Sequence, residues 1–133
     1  MVQDSPSAPT HDSEAAATLA AVERFNEAFN RHDVDAVMAA MTDDCVFENT
    51  TPPPDGARYE GQAAVRAMWE EFFAATPNAA FETEEVFAAA GRAVVRWRYR
   101  WRSDTDGEGH IRGVDLFRVR DEKIAEKLSY VKG

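Results

Sequence analysis

At Asn78 the apolar residues of this chain change their spacing, and that change limits the possible folds more than any motif does. Upstream, Leu19, Val22, Phe25, Ala28 and Phe29 recur at helical intervals, as do Ala63, Val65, Ala67, Met68, Trp69, Phe72 and Phe73. Downstream, polar and apolar residues alternate, most plainly in the run RWRYRWR from Arg96 to Arg102. A 3.6-residue period followed by a period of 2 predicts helices first and strands afterwards. The resulting class is α+β, with about three N-terminal helices covering one face of an antiparallel sheet.

Caps and breakers divide the two halves. Ser13 is a suitable N-cap for a first helix ending near Asn30, and Asp33 for a short second helix carrying Val34, Val37, Met38 and Met41. CVFEN (45–49) reads as a strand running into TTPPPDG, which proline excludes from regular structure. Gln62 to about Ala75 is the third helix, stopped by TPN. AFETEEVFAAAG, RAVVRWRYRWRS, HIRGVDLFRVR and KIAEKLSYVK then read as four strands of a meander. Residues 1–13, rich in Ser, Pro, Asp and Thr, read as a flexible leader, and 14–133 as a single domain. With 44% hydrophobic residues, 133 positions suffice for one core.

Charge removes one class of partner. The net charge is −9, and residues 1–91 carry 4 basic against 17 acidic side chains, whereas 92–133 carry 11 against 7. A polyphosphate partner needs the opposite balance, so no nucleic acid is expected. The alternation in RWRYRWR argues the same way: Trp97, Tyr99 and Trp101 share one face and the arginines the other, while a base-stacking platform needs both on one side. Cys45 is the lone cysteine, and the histidines at 11, 32 and 110 have no ligand spacing, so neither a metal nor a cofactor is called for. The first residues are acidic where a secretory signal is basic, and no apolar run approaches a membrane span of roughly 20 residues. A soluble cytoplasmic protein is the expectation, with no membrane partner.

The two sheet faces have different expected uses. Arg96, Arg98, Arg100 and Arg102 face outward, where an even register would set Glu84 opposite Arg98 and Glu82 opposite Arg100. Val114 and Leu116 interleave with Arg112, Arg118 and Arg120 on that face, and a homodimer through it is its expected use. On the inner face Asp115 falls on the apolar parity between Gly113 and Phe117, an expensive place for a carboxylate. If the SDTDGEG turn pairs Trp101 with Ile111, Trp97 lies opposite Asp115 and Tyr99 opposite Gly113. A hairpin pairing Arg120 with Ile124 puts Ser129 opposite Asp115 and Lys127 opposite Phe117. Asp115 is then either a structurally satisfied acid or a proton-transfer group. Cys45 reads as a small buried apolar residue.

The phrases VERFNEAFNRHDVDAVMAAMTDDCVFEN, YEGQAAVRAMWEEFF and RGVDLFRVRDEKIAEKLSYVK together resemble the SnoaL-like branch of the nuclear transport factor two-like superfamily over roughly residues 15–132. That branch is similar to polyketide cyclases, ketosteroid isomerases and limonene epoxide hydrolases, and the resemblance implies a cone-shaped fold with a strongly curved sheet. It implies for Asp115 the place of the isomerases' neutral oxyanion-hole acid, a worked case of a carboxyl kept protonated. The isomerase base would fall at Asn49 and its tyrosine at Phe25, neither of which can do that chemistry. Asn49 also matches the water-holding asparagine of the epoxide hydrolases, but their two aspartates would fall at Tyr99 and Ser129 and their arginine at Trp97.

What remains is a catalytic set of Asp115, Asn49 and Tyr99 in an apolar pocket. From the helices and first strand its expected walls are Phe25, Phe29, Met38, Phe47, Met68, Trp69 and Phe72. From the later strands they are Trp97, Trp101 and Phe117, with Lys127 and Ser129 as polar contacts. The implied activity is cofactor-independent acid–base chemistry on a small apolar substrate, carbonyl-containing or cyclic, of isomerase, cyclase or hydratase type. The alternative is a non-catalytic ligand-binding or dimeric assembly module of the same fold.

Overall fold

The structure, a computed structural model, describes residues 11–132 except 104 and 106. Its elements in order are α1 (His11–Asn30), α2 (Val34–Ala39), β1 (Met41–Glu48), β2 (Arg58–Glu60), α3 (Gln62–Ala75), β3 (Ala80–Ala89), β4 (Arg92–Ser103), β5 (Gly107–Arg120) and β6 (Lys123–Val131). The four long strands β3 to β6 follow the last helix as the change of period indicates, while β1 and β2 come before α3. Ser13 is not the first cap, because α1 is already helical at His11; most of the expected leader lies outside the described residues.

The helices bury the larger side chains of the stripes the sequence marks, but Ala63 and Ala67 of α3 are exposed and Met41 begins β1 rather than extending α2. Val22, Phe25 and Phe29 of α1 and Val65, Trp69 and Phe73 of α3 enter the core, at spacings of three and four. Asp33 caps α2, its carboxylate accepting the Ala36 N–H at 3.1 Å. The Gln62 amide at the head of α3 donates to the carbonyls of Met38, Met41 and Thr42, fixing α3 against the junction of α2 and β1. No described helix is long and apolar enough to cross a membrane.

The six strands form one sheet in the order β2-β1-β6-β5-β4-β3. It is mixed rather than wholly antiparallel, because β1 pairs with β6 in parallel, Phe47 beside Lys127. The β5–β6 register is the expected one at the centre, Asp115 opposite Ser129 and Phe117 opposite Lys127, although the hairpin closes on Arg120 and Lys123 after a shift near Val119. The β4–β5 register differs by two residues: Val95 lies opposite Asp115, Trp97 opposite Gly113, and Tyr99 opposite Ile111. Gly113 is required there, since a Cβ would stand 2.6 Å from the Trp97 ring and 2.3 Å from the Tyr130 carbonyl. The β3–β4 register is corrected too. Glu82 faces Arg98, and a bulge at Glu84 brings Glu85 opposite Arg96.

Candidate functional site

Three side chains meet on the inner face where β5 and β6 run together. Asp115 from β5 and Lys127 and Ser129 from β6 share that face because one residue separates the latter two, and the register puts Asp115 beside Ser129. The Ser129 hydroxyl donates to Asp115 Oδ1 at 2.7 Å, and Lys127 Nζ donates to Ser129 Oγ at 2.9 Å while standing 3.3 Å from Asp115 Oδ2. The Asp115 and Lys127 side chains are only 6% and 8% exposed, so each charge depends on the other for compensation. The ammonium also lies 4.8 Å from the Phe47 ring centre, 5.6 Å from Trp69 and 5.8 Å from Phe29, within cation–π range of all three.

Ser129 and Lys127 of this triad help to wall a cavity of about 330 Å³ between α1, α3 and the sheet. Of the residues expected there, Phe29, Phe47, Met68, Trp69, Phe72 and Trp97 line it, as do Asn49, Tyr99, Lys127 and Ser129. Asn49 is held by its own backbone neighbour, its side-chain oxygen accepting the Thr50 N–H at 2.8 Å. Burial pushes the Tyr99 phenol above its ordinary range, opposed by a hydrogen bond with Thr76.

Five expected site residues are placed elsewhere. Met38 and Phe117 are core side chains. Trp101 lines a separate hollow with Thr76 and Asn78, because the two-residue register difference sets it opposite Gly109, nearer the end of the sheet. Phe25 and Asp115 border a narrow cleft of about 20 Å³ on the α1 side, together with Asn26, Asn30 and Thr83. Lys127 borders both spaces, so Asp115 sits behind Ser129 and Lys127 as seen from the main cavity.

The sequence reading missed Thr50, Thr51, Glu71, Ala75, Phe81 and Ile111 as wall residues. Helical spacing could have found two of them, since Met68, Glu71, Phe72 and Ala75 form one stripe of α3. Phe81 becomes a wall residue through a pairing with Tyr99 that depends on the β3–β4 register. Loop residues Thr50 and Thr51 carry no periodic signal.

The SnoaL-like domain profile matches residues 22–127, most of the described fold. An NTF2-like protein of unknown function from Mesorhizobium loti is 42% identical, with 90% of this chain and 94% of that chain aligned at a TM-score of 0.77. An LEH-like epoxide hydrolase from Mycobacterium tuberculosis is 21% identical at a TM-score of 0.72, covering 90% and 85% of the two chains. Another M. tuberculosis protein, solved in complex with estradiol-17beta-hemisuccinate, is 24% identical at a TM-score of 0.72, covering 86% and 92%. At such identities the last two show a shared fold alone. No functionally curated protein matches the sequence. The profile match and the 42% identical relative agree with the helix-on-sheet architecture, and the chain belongs to the SnoaL-like domain family of the NTF2-like superfamily.

Proposed function

We propose that this protein is a cofactor-independent enzyme that moves a proton on a small apolar, carbonyl-containing or cyclic substrate, in an isomerase, cyclase or hydratase reaction. The observation that carries this reading is the Asp115–Ser129–Lys127 chain, whose Ser129 and Lys127 members line a cavity rich in aromatic side chains. Ser129 Oγ takes a proton from a carbon next to the substrate carbonyl as its own proton passes across 2.7 Å to Asp115 Oδ1. The charge left on the substrate oxygen is received by the Asn49 amide and the Tyr99 hydroxyl, which line the same cavity. Returning the proton to another carbon completes an isomerisation. The cleft behind Asp115 has room for about one water, by which the carboxyl exchanges its proton with solvent.

Deuterium incorporation from heavy water into a panel of cyclic ketones, followed by NMR, tests this. Wild type should label at least one ketone next to its carbonyl, and Asp115→Asn should slow that labelling by about 100-fold. Labelling at equal rates in both proteins would sink the relay.

The outer sheet face supports the second reading, an assembly module. Phe87, Val94, Leu116 and Leu128 form a row across four strands, with Phe87 55% exposed and Tyr130 52% exposed. A row of that kind flanked by arginines and glutamates suits a second copy of the chain. Sedimentation of wild type should show a dimer that Phe87→Glu dissociates; a monomeric wild type would remove this reading.

A further inference from the structure

We infer that the cavity is selective for a flat apolar ligand carrying a single carboxylate, received by the Lys127 ammonium. This inference rests on the reading of the cavity as a ligand site and narrows it to apolar oxo acids.

The buried ion pair is presented to the cavity unevenly. Lys127 and Ser129 are wall residues of the main cavity, and Asp115 borders the cleft behind them. The pair is neutral as a whole, but its positive end faces the ligand. Because Coulomb attraction falls inversely with distance, an anionic oxygen against Nζ feels the ammonium more strongly than the carboxylate on its far side. A cationic ligand meets the reverse balance.

The distribution of protons points the same way. Ser129 gives its proton to Asp115 and accepts one from Lys127, so the hydroxyl has no second proton for a ligand. Lys127 has three, of which one goes to Ser129 Oγ and one faces Asp115 Oδ2. The third remains for a ligand acceptor among the rings of Phe29, Phe47 and Trp69. That free proton is what a carboxylate oxygen accepts in a charge-assisted hydrogen bond.

Size and surroundings select the class. One ammonium without an arginine fork matches a carboxylate better than a phosphate. The rings of Phe29, Phe47, Phe72 and Phe81 give the rest of the ligand an apolar enclosure of about 330 Å³. The other charged wall residue among the described ones is Glu71, which is exposed, so solvent screens it.

The test compares 2-naphthoate with 2-naphthamide, equal in shape and differing in charge, by calorimetric titration of the full chain. Wild type should bind the carboxylate about tenfold more tightly than the amide. In the variant Lys127→Met/Asp115→Asn, which removes both charges together and leaves neither unpaired, that preference should vanish while the amide still binds. Equal binding of the two probes by wild type would overturn the carboxylate assignment and leave the apolar ligand site standing. A preference that persisted in the double variant would overturn it too, by showing that the carboxylate is held elsewhere. Failure of both probes to bind would remove the ligand site and the inference together.

Discussion

Replacing Lys127 by Met removes a cation and leaves the buried Asp115 carboxylate without its counter-charge. Breaking one side of a buried pair costs about 3–5 kcal/mol, whereas removing both sides is often close to neutral. Urea denaturation should therefore show Lys127→Met destabilised by that amount and Lys127→Met/Asp115→Asn recovering most of it. If the single variant were as stable as wild type, Asp115 would not depend on Lys127. Asp115 was visible in the sequence as an acid on an apolar parity, and the register of the last hairpin was close enough to join it to Ser129 and Lys127. Its position behind those two was not visible, because which residue faces a cavity depends on where the helices stop short of the sheet.

At the scale of elements, Gly113 joins β4 to β5 and β6 by letting the Trp97 ring and the Tyr130 carbonyl approach the backbone. Gly113→Val should destabilise by about 1–3 kcal/mol through overpacking, with a changed near-ultraviolet circular dichroism signal as the Trp97 ring moves. An unaltered spectrum at full stability would mean the contact has slack. The helices were legible because a 3.6-residue stripe and its caps are local: Asp33, and Thr76 before Pro77, bound α2 and α3 where the pattern does. The strand faces were legible for a related reason, since a register difference of two residues keeps every side chain on its own side. That is why Trp97 and Tyr99 reach the inner face despite the different pairing, and why Trp101, at the end of β4, left the site. The bulge at Glu84, the three-residue β2 and the parallel pairing of β1 with β6 left no local trace. Each is decided by a partner far along the chain.

Across the whole molecule, acid and alkaline stability should be lost for different reasons. Hydrogen bonding to Arg120, with help from Thr42, holds the Asp44 carboxyl below its ordinary 3.8, and Arg112 holds Glu84 below its ordinary 4.5. Both groups have a lower pKa folded than unfolded, so what they contribute is present above those ordinary values and is lost as pH falls through and below them. Burial raises Cys45 above its ordinary 9.0 and Tyr99 above its ordinary 10.0, so their contribution is complete below those values and lost as pH rises past them. Thermal melts across the pH range should show both flanks, with Asp44→Asn flattening the acid one; an acid flank unchanged in that variant would remove Asp44 from it. The most direct test of the central claim, that Asp115 communicates with the cavity through Ser129 and Lys127, is the carbon-13 resonance of the Asp115 carboxyl during titration with 2-naphthoate. The account predicts that this resonance moves as the cavity fills and that Ser129→Ala reduces the movement. A resonance that stayed in place at saturation would contradict it.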